Sequence, residues 1–336
     1  MNMVQQDPVW TADDIESVNA CPGCGAAAPR GLVHTGLTDT LEGSPGEWQM
    51  RQCADCGSLF LDPRPTPASI HKAYQRYYTH APSQTQHEGD NGSSALWALA
   101  NGYMNHRYGG KRQPASALGP WLIPLLPPLR QQLDFFYRHL PSTPGTLLDV
   151  GCGNGVFLLR ARDAGWQATG LEPDPAAVRA ARGNGFDVIE GLIDQVPETR
   201  QFDVITVSHV IEHVHDAAHF LAKAQGLLRP GGQLWLSTPN PDSWGHRAYG
   251  TAWRGLEPPR HLTVFTARAL QQQLAQAGFT AITAHRRGRG SRYILEESRR
   301  AAQPPVQRVS PLLADIAGSL FTQIAEETVI SARKPS

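Results

Sequence analysis

The sequence predicts an α/β protein built on a doubly wound, mostly parallel sheet that ends in an antiparallel hairpin, preceded by a small four-cysteine ribbon and a helical cap. Three observations carry that prediction. From Thr146 onward, short apolar runs of strand length alternate with helical stretches. A glycine-rich turn, GCGNG, follows the first of those runs, and two Cys-x-x-Cys pairs stand near the start of the chain. At roughly 150 residues per domain, 336 residues suggest about two domains, each able to bury a core without disulfides. Thirty basic against 30 acidic residues give no net charge, which excludes strong nonspecific affinity for polyanions.

The opening residues lack the basic patch and apolar run of a signal peptide and contain Asp7, Asp13 and Asp14, which argues against secretion. The most apolar stretch, ALGPWLIPLLPPL at 117–129, is interrupted by prolines and shorter than the roughly 20 residues of a spanning helix. A transmembrane chain is excluded by that reading, while peripheral contact with lipid stays open. Five cysteines, four of them in two pairs, read as a metal site in the reducing cytoplasm rather than as disulfides.

The ribbon is expected over 15–62. CPGCG at 21–25 and CADCG at 53–57 place Cys21, Cys24, Cys53 and Cys56 to hold one zinc tetrahedrally, and Gly25 and Gly57 permit the left-handed turn after each pair. With all four positions filled by protein, no place is left for a reactive water, so the zinc is expected to be structural. Hairpin strands should lie near 31–37 and 47–51. Residues 63–140 read as a helical linker or cap, with a short helix carrying Tyr74, Tyr77 and Tyr78 and a polar, mobile loop over 83–94. Two readings of its helices stay open, a lid over the site or a linker packed on the next domain.

Over 141–336 the pattern is regular: strand TLLDV, the glycine turn, a helix from Val156 and the stop Gly165. Strand QATGL, Glu172, a helix over 176–182 and strand FDVI follow. FDVITV at 202–207, a helix from Ala217 capped by Asp216, and QLWLST at 233–238 continue the alternation. Thr266 caps a helix over 267–277, and strands FTAITAHR and EETVISARK form the terminal hairpin around a helical insertion at 291–325.

The glycine loop stands at the carboxyl end of the first strand, where open α/β sheets bind ligands. Val156 occupies the place of the third glycine of a dinucleotide fingerprint, so a pyrophosphate cradle is not matched. Glu172, 21 residues after Gly151, can accept both hydroxyls of a ribose, which points to an adenosyl group.

Taken in order, LLDVGCGNGVFLLRARDAGWQATGLEPDP, FDVITVSHVIEHVHD and LLRPGGQLWLSTPN resemble the class I S-adenosylmethionine-dependent methyltransferases, a Rossmann-like fold, with a core similar to the ubiquinone-biosynthesis O-methyltransferases. The resemblance implies S-adenosylmethionine as cofactor. Asp149 and the loop of Gly151, Cys152, Gly153 and Gly155 would hold its amino-acid end, Glu172 the ribose, Leu192 and Ile193 the adenine, and Ser208 and His209 the floor beside the sulfonium. The resembled ubiquinone enzymes carry a Glu where His209 stands, a departure that bears on any divalent metal carried over from them.

For catalysis, a helix over 209–213 would set His209, Glu212 and His213 on one face, fit for a metal or a proton-transfer pair. His215 and His219 read as surface residues. The segment 240–262 should overhang the methyl donor and carries Trp244, His246, Trp253, Arg260 and His261; behind its two prolines, His261 is the first candidate for a general base and His213 the second. Arg286, Arg287, Arg289 and Arg292 form a basic cluster that is either a solvated edge or a grip on an acidic group.

The expected activity is methyl transfer to a small molecule, saccharide or lipid-linked intermediate, with oxygen as the acceptor atom. A nucleic-acid methyltransferase using the ribbon is the alternative; against it, the ribbon carries more acidic than basic residues, and SHVIEHV lacks the Asn/Asp-Pro-Pro-aromatic motif of base N-methylation. A non-catalytic scaffold is disfavoured by the intact Asp149, glycines and Glu172.

Overall fold

The computed structural model describes residues 10–27, 31–74, 95–302 and 308–336. Tyr77, Tyr78 and the loop expected over 83–94 lie outside the described residues. In the N-terminal part, β1 (Ile15–Glu16) pairs with β5 (Arg64–Pro65), and β2 (Leu32–Leu37), β3 (Trp48–Gln52) and β4 (Leu59–Leu61) form an antiparallel meander. Helices α1 (Ala95–Tyr108), α2 (Gly119–Leu122) and α3 (Pro127–Phe136) follow. The alternating region then supplies β6 (Thr146–Val150), α4 (Val156–Asp163), β7 (Gln167–Glu172), α5 (Pro175–Gly183), β8 (Asp187–Glu190), β9 (Phe202–Ser208), α6 (Ala217–Leu227) and β10 (Leu228–Pro239).

After β10 come α7 (Trp244–Tyr249), β11 (Thr263–Val264), α8 (Ala267–Gln276), β12 (Thr280–His285), α9 (Ser291–Ala301), α10 (Pro311–Leu320) and β13 (Glu327–Arg333). Seven strands form one sheet in the order β12-β13-β10-β9-β6-β7-β8. The five strands from β10 to β8 run parallel, and β13 enters antiparallel between β10 and β12. Near-continuous apolar runs such as LLDV and VITV suit strands covered on both faces. One cover is α6 and α8, which bury Phe220, Leu221, Leu270 and Leu274 with Leu148, Ile205 and Leu236.

The other cover is the helical segment. Tyr103, Tyr108, Leu133 and Tyr137 share a core with Leu147, Phe157, Trp166 and Val204, so these helices lie against the sheet. Caps follow the sequence: the side chains of Asp174, Asp216 and Thr266 accept from Ala176, His219 and Ala269 backbone amides.

The ribbon joins the α/β unit rather than trailing from it. β11, far along the chain, adds to the edge of β4 with Thr263 opposite Phe60 and Val264 opposite Leu59. Gln273 of α8 donates to the carbonyls of Pro22 and Gly23, and Thr266 donates to that of Cys56. Loop 38–47 is locked by charge: Asp39 accepts two bonds from the fully buried Arg260 guanidinium, 2.6 and 3.0 Å long, while Arg260 Nε donates to Glu257.

Candidate active site and cysteine centre

All the parallel strands end at one edge, and the predicted cofactor residues collect there. Gly151, Gly153 and Gly155 adopt left-handed φ of 69°, 53° and 89°, and a Cβ on Gly151 would come within 2.5 Å of Val210, so the turn requires glycine on both conformational and steric grounds. Cys152 is buried against Leu158, Val178 and Phe186, so only its backbone is available to a ligand. Glu172 ends β7 with one oxygen accepting from Gly153 N at 2.9 Å and the other from Asp174 N at 3.0 Å. Each oxygen keeps a lone pair for a further donor. Burial pushes its carboxyl up, opposed by those two amides. Leu192 is well exposed at the end of the neighbouring strand while Ile193 beneath it is buried, an arrangement suited to an aromatic ring lying on Leu192.

Asp149 lies in β6, beneath the glycine turn. It is wholly buried under the loop, where Oδ1 accepts from Thr206 Oγ1 at 2.9 Å and from the Arg138 guanidinium. Burial pushes its carboxyl up, and Arg138 and Thr206 oppose that. Asp149 thus braces the turn through Oδ1, while its buried Oδ2 makes no hydrogen bond among the described residues. Arg138, which sequence reasoning missed, stacks over Phe157 and has a left-handed backbone with φ of 48°. Its only sequence signal is a charge next to an apolar run.

The expected helix over 209–213 is absent. His209 has φ of 53° and only Ile211–His213 make a 3-10 turn, so His209, Glu212 and His213 do not share a helical face. His209 instead lies between two carboxylates, with Nε2 at 2.7 Å from Glu327 and Nδ1 at 3.2 Å from Glu212. Burial opposes its charge, yet the two acids raise it to about 10, so it is an imidazolium at neutral pH. Glu327 also pairs with Arg287. Ser208 bonds to Ser237, both at the ends of central strands.

His261 is buried, and its Nδ1 bonds to the Gly255 carbonyl, leaving Nε2 to accept. Burial lowers it to about 4, against the pull of Glu257, which makes it neutral and a weak base at pH 7. His213 is half-buried with Nδ1 at 2.9 Å from the Arg260 carbonyl, so its Nε2 is the accepting atom. Tyr74 Oη lies 3.1 Å from the same Nδ1. One donor atom each from Glu212, His213 and His261 lie within 4.8 Å of one another. Glu212 Oε2 accepts from Thr238, whereas Oε1 is buried, makes no hydrogen bond among the described residues and faces His209 Nδ1 at 3.2 Å. The segment 240–262 is buried beneath the ribbon and α9 over much of its length: Trp253 donates to Glu326, and His246 bonds to His34 of β2. His215, expected at the surface, is half-buried against the Pro65 carbonyl.

The cysteine centre sits between β4 and α8. Its four sulfurs all lie within 4.8 Å, with Cys21 and Cys56 at 3.6 Å and Cys24 and Cys53 at 3.5 Å. Zn–S bonds of about 2.3 Å at tetrahedral angles require sulfurs about 3.8 Å apart. Gly25 and Gly57 have φ of 76° and 77°, as expected after each pair. The set fits one zinc.

Residues 127–284 match a family model described as a methyltransferase domain. This part of the chain is thus similar to methyltransferase domains. The strand order and the glycine turn give the α/β unit the Rossmann-like fold of the class I methyltransferases. The chain is 31 % identical over 151 residues to a "Ubiquinone biosynthesis O-methyltransferase" of Xanthomonas oryzae pv. oryzae, covering 43 % of this chain and 58 % of the relative. The relative of the same name from Xylella fastidiosa is 30 % identical over 141 residues, 39 % of this chain and 52 % of its own length. The chain thus spans a little over half the length of these curated relatives. Among solved structures, a SAM-dependent methyltransferase from Archaeoglobus fulgidus covers 63 % of this chain and 94 % of its own, at 18 % identity and a TM-score of 0.44.

Proposed function

We propose that the protein is an enzyme that moves the sulfonium methyl of S-adenosylmethionine to a hydroxyl oxygen of a small-molecule, saccharide or lipid-linked acceptor. The observation that carries this reading is the common edge on which the left-handed glycine turn, Glu172 and exposed Leu192 meet the Glu212, His213 and His261 cluster. Gly151 to Gly155 and Glu172 would bind the cofactor, aligning the methyl for in-line attack. In the first reading of the cluster, His213 Nε2 takes the acceptor proton, because its Nδ1 is already held by the Arg260 carbonyl while His261 is too weak a base.

A second reading rests on Glu212 Oε1, which makes no hydrogen bond among the described residues and lies 3.2 Å from His209 Nδ1. The two imidazoles of His213 and His261 and the Glu212 carboxylate form a donor set for a divalent cation. When bound there, such a cation supplies Lewis-acid stabilisation of the acceptor oxygen. Calorimetry with manganese tests it, and Glu212→Gln should abolish any heat. Cys21, Cys24, Cys53 and Cys56 would hold a structural zinc.

Calorimetric titration with S-adenosylmethionine tests the cofactor site. Wild type should bind and Glu172→Ala should lose about 1.5 to 3 kcal/mol, the loss of two charge-assisted bonds. Equal affinity in both would mean the ribose lies elsewhere. The ribbon's exposed acids weigh against nucleic acid as acceptor.

A further inference from the structure

We propose that the surface made by residues 118–126 and α10, flanked by Arg286 and Arg289, docks the protein on an anionic phospholipid bilayer. Two stretches that are far apart in sequence meet there through α3. In the first, prolines break the chain into a short helix and a 3-10 turn, pinned by the wholly buried Ile123, while Leu118, Trp121, Leu122, Leu125 and Leu126 point outward. Trp121 is 77 % exposed and Leu125 is 72 % exposed.

In α10 the usual amphipathic order is inverted. Its small residues Ala314, Gly318 and Ser319 face the protein, and Leu312, Leu313, Ile316 and Leu320 face out. The adjoining Phe321 is exposed as well. A helix of that kind needs a cover, and lone exposed leucines do not.

The two stretches are contiguous. Gln131 of α3 donates to the Ser319 carbonyl, and the loop after β12 runs beside both: a Cβ on Gly288 would come within 2.7 Å of Pro128, and one on Gly318 within 3.0 Å of the Arg287 carbonyl. That loop is the basic cluster. Arg287 is consumed by Glu327, but the Arg286 and Arg289 side chains are exposed and unpaired among the described residues, as is Arg308 just before α10.

Charge decides the occupant. A second copy seated on this face would bring arginines of like sign toward one another, whereas anionic headgroups would neutralise them while Trp121 and the leucines enter the acyl boundary. β12 and β10 end at the same edge of the sheet, so docking would turn the cofactor edge toward the bilayer.

Co-sedimentation with vesicles tests this without any methyl acceptor, so its outcome is independent of the proposed activity. The full chain should pellet with phosphatidylcholine vesicles containing phosphatidylglycerol, bind pure phosphatidylcholine far less, and be released as salt rises. At about fivefold per arginine near the surface, the double variant Arg286→Glu/Arg289→Glu should lower partitioning by at least about 20-fold. Trp121→Ala/Leu125→Ala should lower it on the same vesicles, with thermal melts unchanged in both variants. Absence of binding to anionic vesicles would overturn the proposal, as would equal binding to neutral ones. A wild-type dimer in analytical ultracentrifugation that Trp121→Ala dissociates would also overturn it, by giving this face to a second copy.

Discussion

Asp39→Asn perturbs the contact that ties the ribbon to the segment bearing His261. Arg260 is wholly inaccessible and makes two short bonds to Asp39 and one to Glu257, which it shares with Arg254. Removing the Asp39 charge leaves two guanidiniums on one buried carboxylate. Breaking a buried pair from one side costs about 3 to 5 kcal/mol. Asp39 also accepts from the amides of Leu41, Glu42 and Ser44, and an asparagine with one acceptor oxygen cannot keep all of them. Because Glu257 stays in place, a loss of about 3 kcal/mol is expected, a fall of roughly 6 to 12 °C in the first thermal transition.

The pH dependence provides a check on cause. Burial raises the Asp39 carboxyl, but the bonds and charge of Arg260 outweigh it and hold the folded value below the ordinary one. A depressed carboxyl stabilises fully above its unfolded value of about 3.9, and that contribution is lost as pH falls through the folded value. Wild type should therefore exceed Asp39→Asn by a constant margin from pH 5 to 8, and the margin should shrink below about pH 4. Scanning calorimetry across that range measures both. A loss under about 1 kcal/mol at pH 7, or a margin that does not shrink in acid, would refute the reasoning.

Metal analysis should give one zinc per chain, and Cys53→Ser should lose it and melt earlier, because β11 and α8 lean on the ribbon; a zinc-free wild type of unchanged stability would count against the site. Once an acceptor is in hand, His213→Ala should lower turnover by about 100-fold with S-adenosylmethionine affinity held within about twofold, as measured by initial rates beside calorimetry. Full turnover in that variant would remove His213 from the chemistry.

Much of the architecture was legible in the sequence because its signals are local. Apolar runs of strand length, caps at Asp216 and Thr266, and glycines after each cysteine pair each depend on a few neighbouring residues. The candidate site was legible where it rests on backbone shape, as in the left-handed turns at Gly151 and Gly153. It was not legible where function rests on long-range partners. Nothing near Asp149 in the chain announces Arg138 and Thr206, which hold its Oδ1. His209 read as part of a helical triad, but its left-handed backbone and its pairing with Glu327, more than a hundred residues on, turn it into a clamped cation. His261 read as an open base because prolines signal rigidity and say nothing about burial.

The pairing of β4 with β11 also sets an order of events during synthesis. The cysteine ribbon leaves the ribosome well before its edge strand is completed by Thr263 and Val264, about 200 residues later. At ribosomal speeds that interval is roughly 10 to 40 s. For that time the nascent ribbon carries an unpaired edge on β4 and four thiols with no helix α8 over them, so early metal capture would guard the chain against both strand misassociation and stray oxidation.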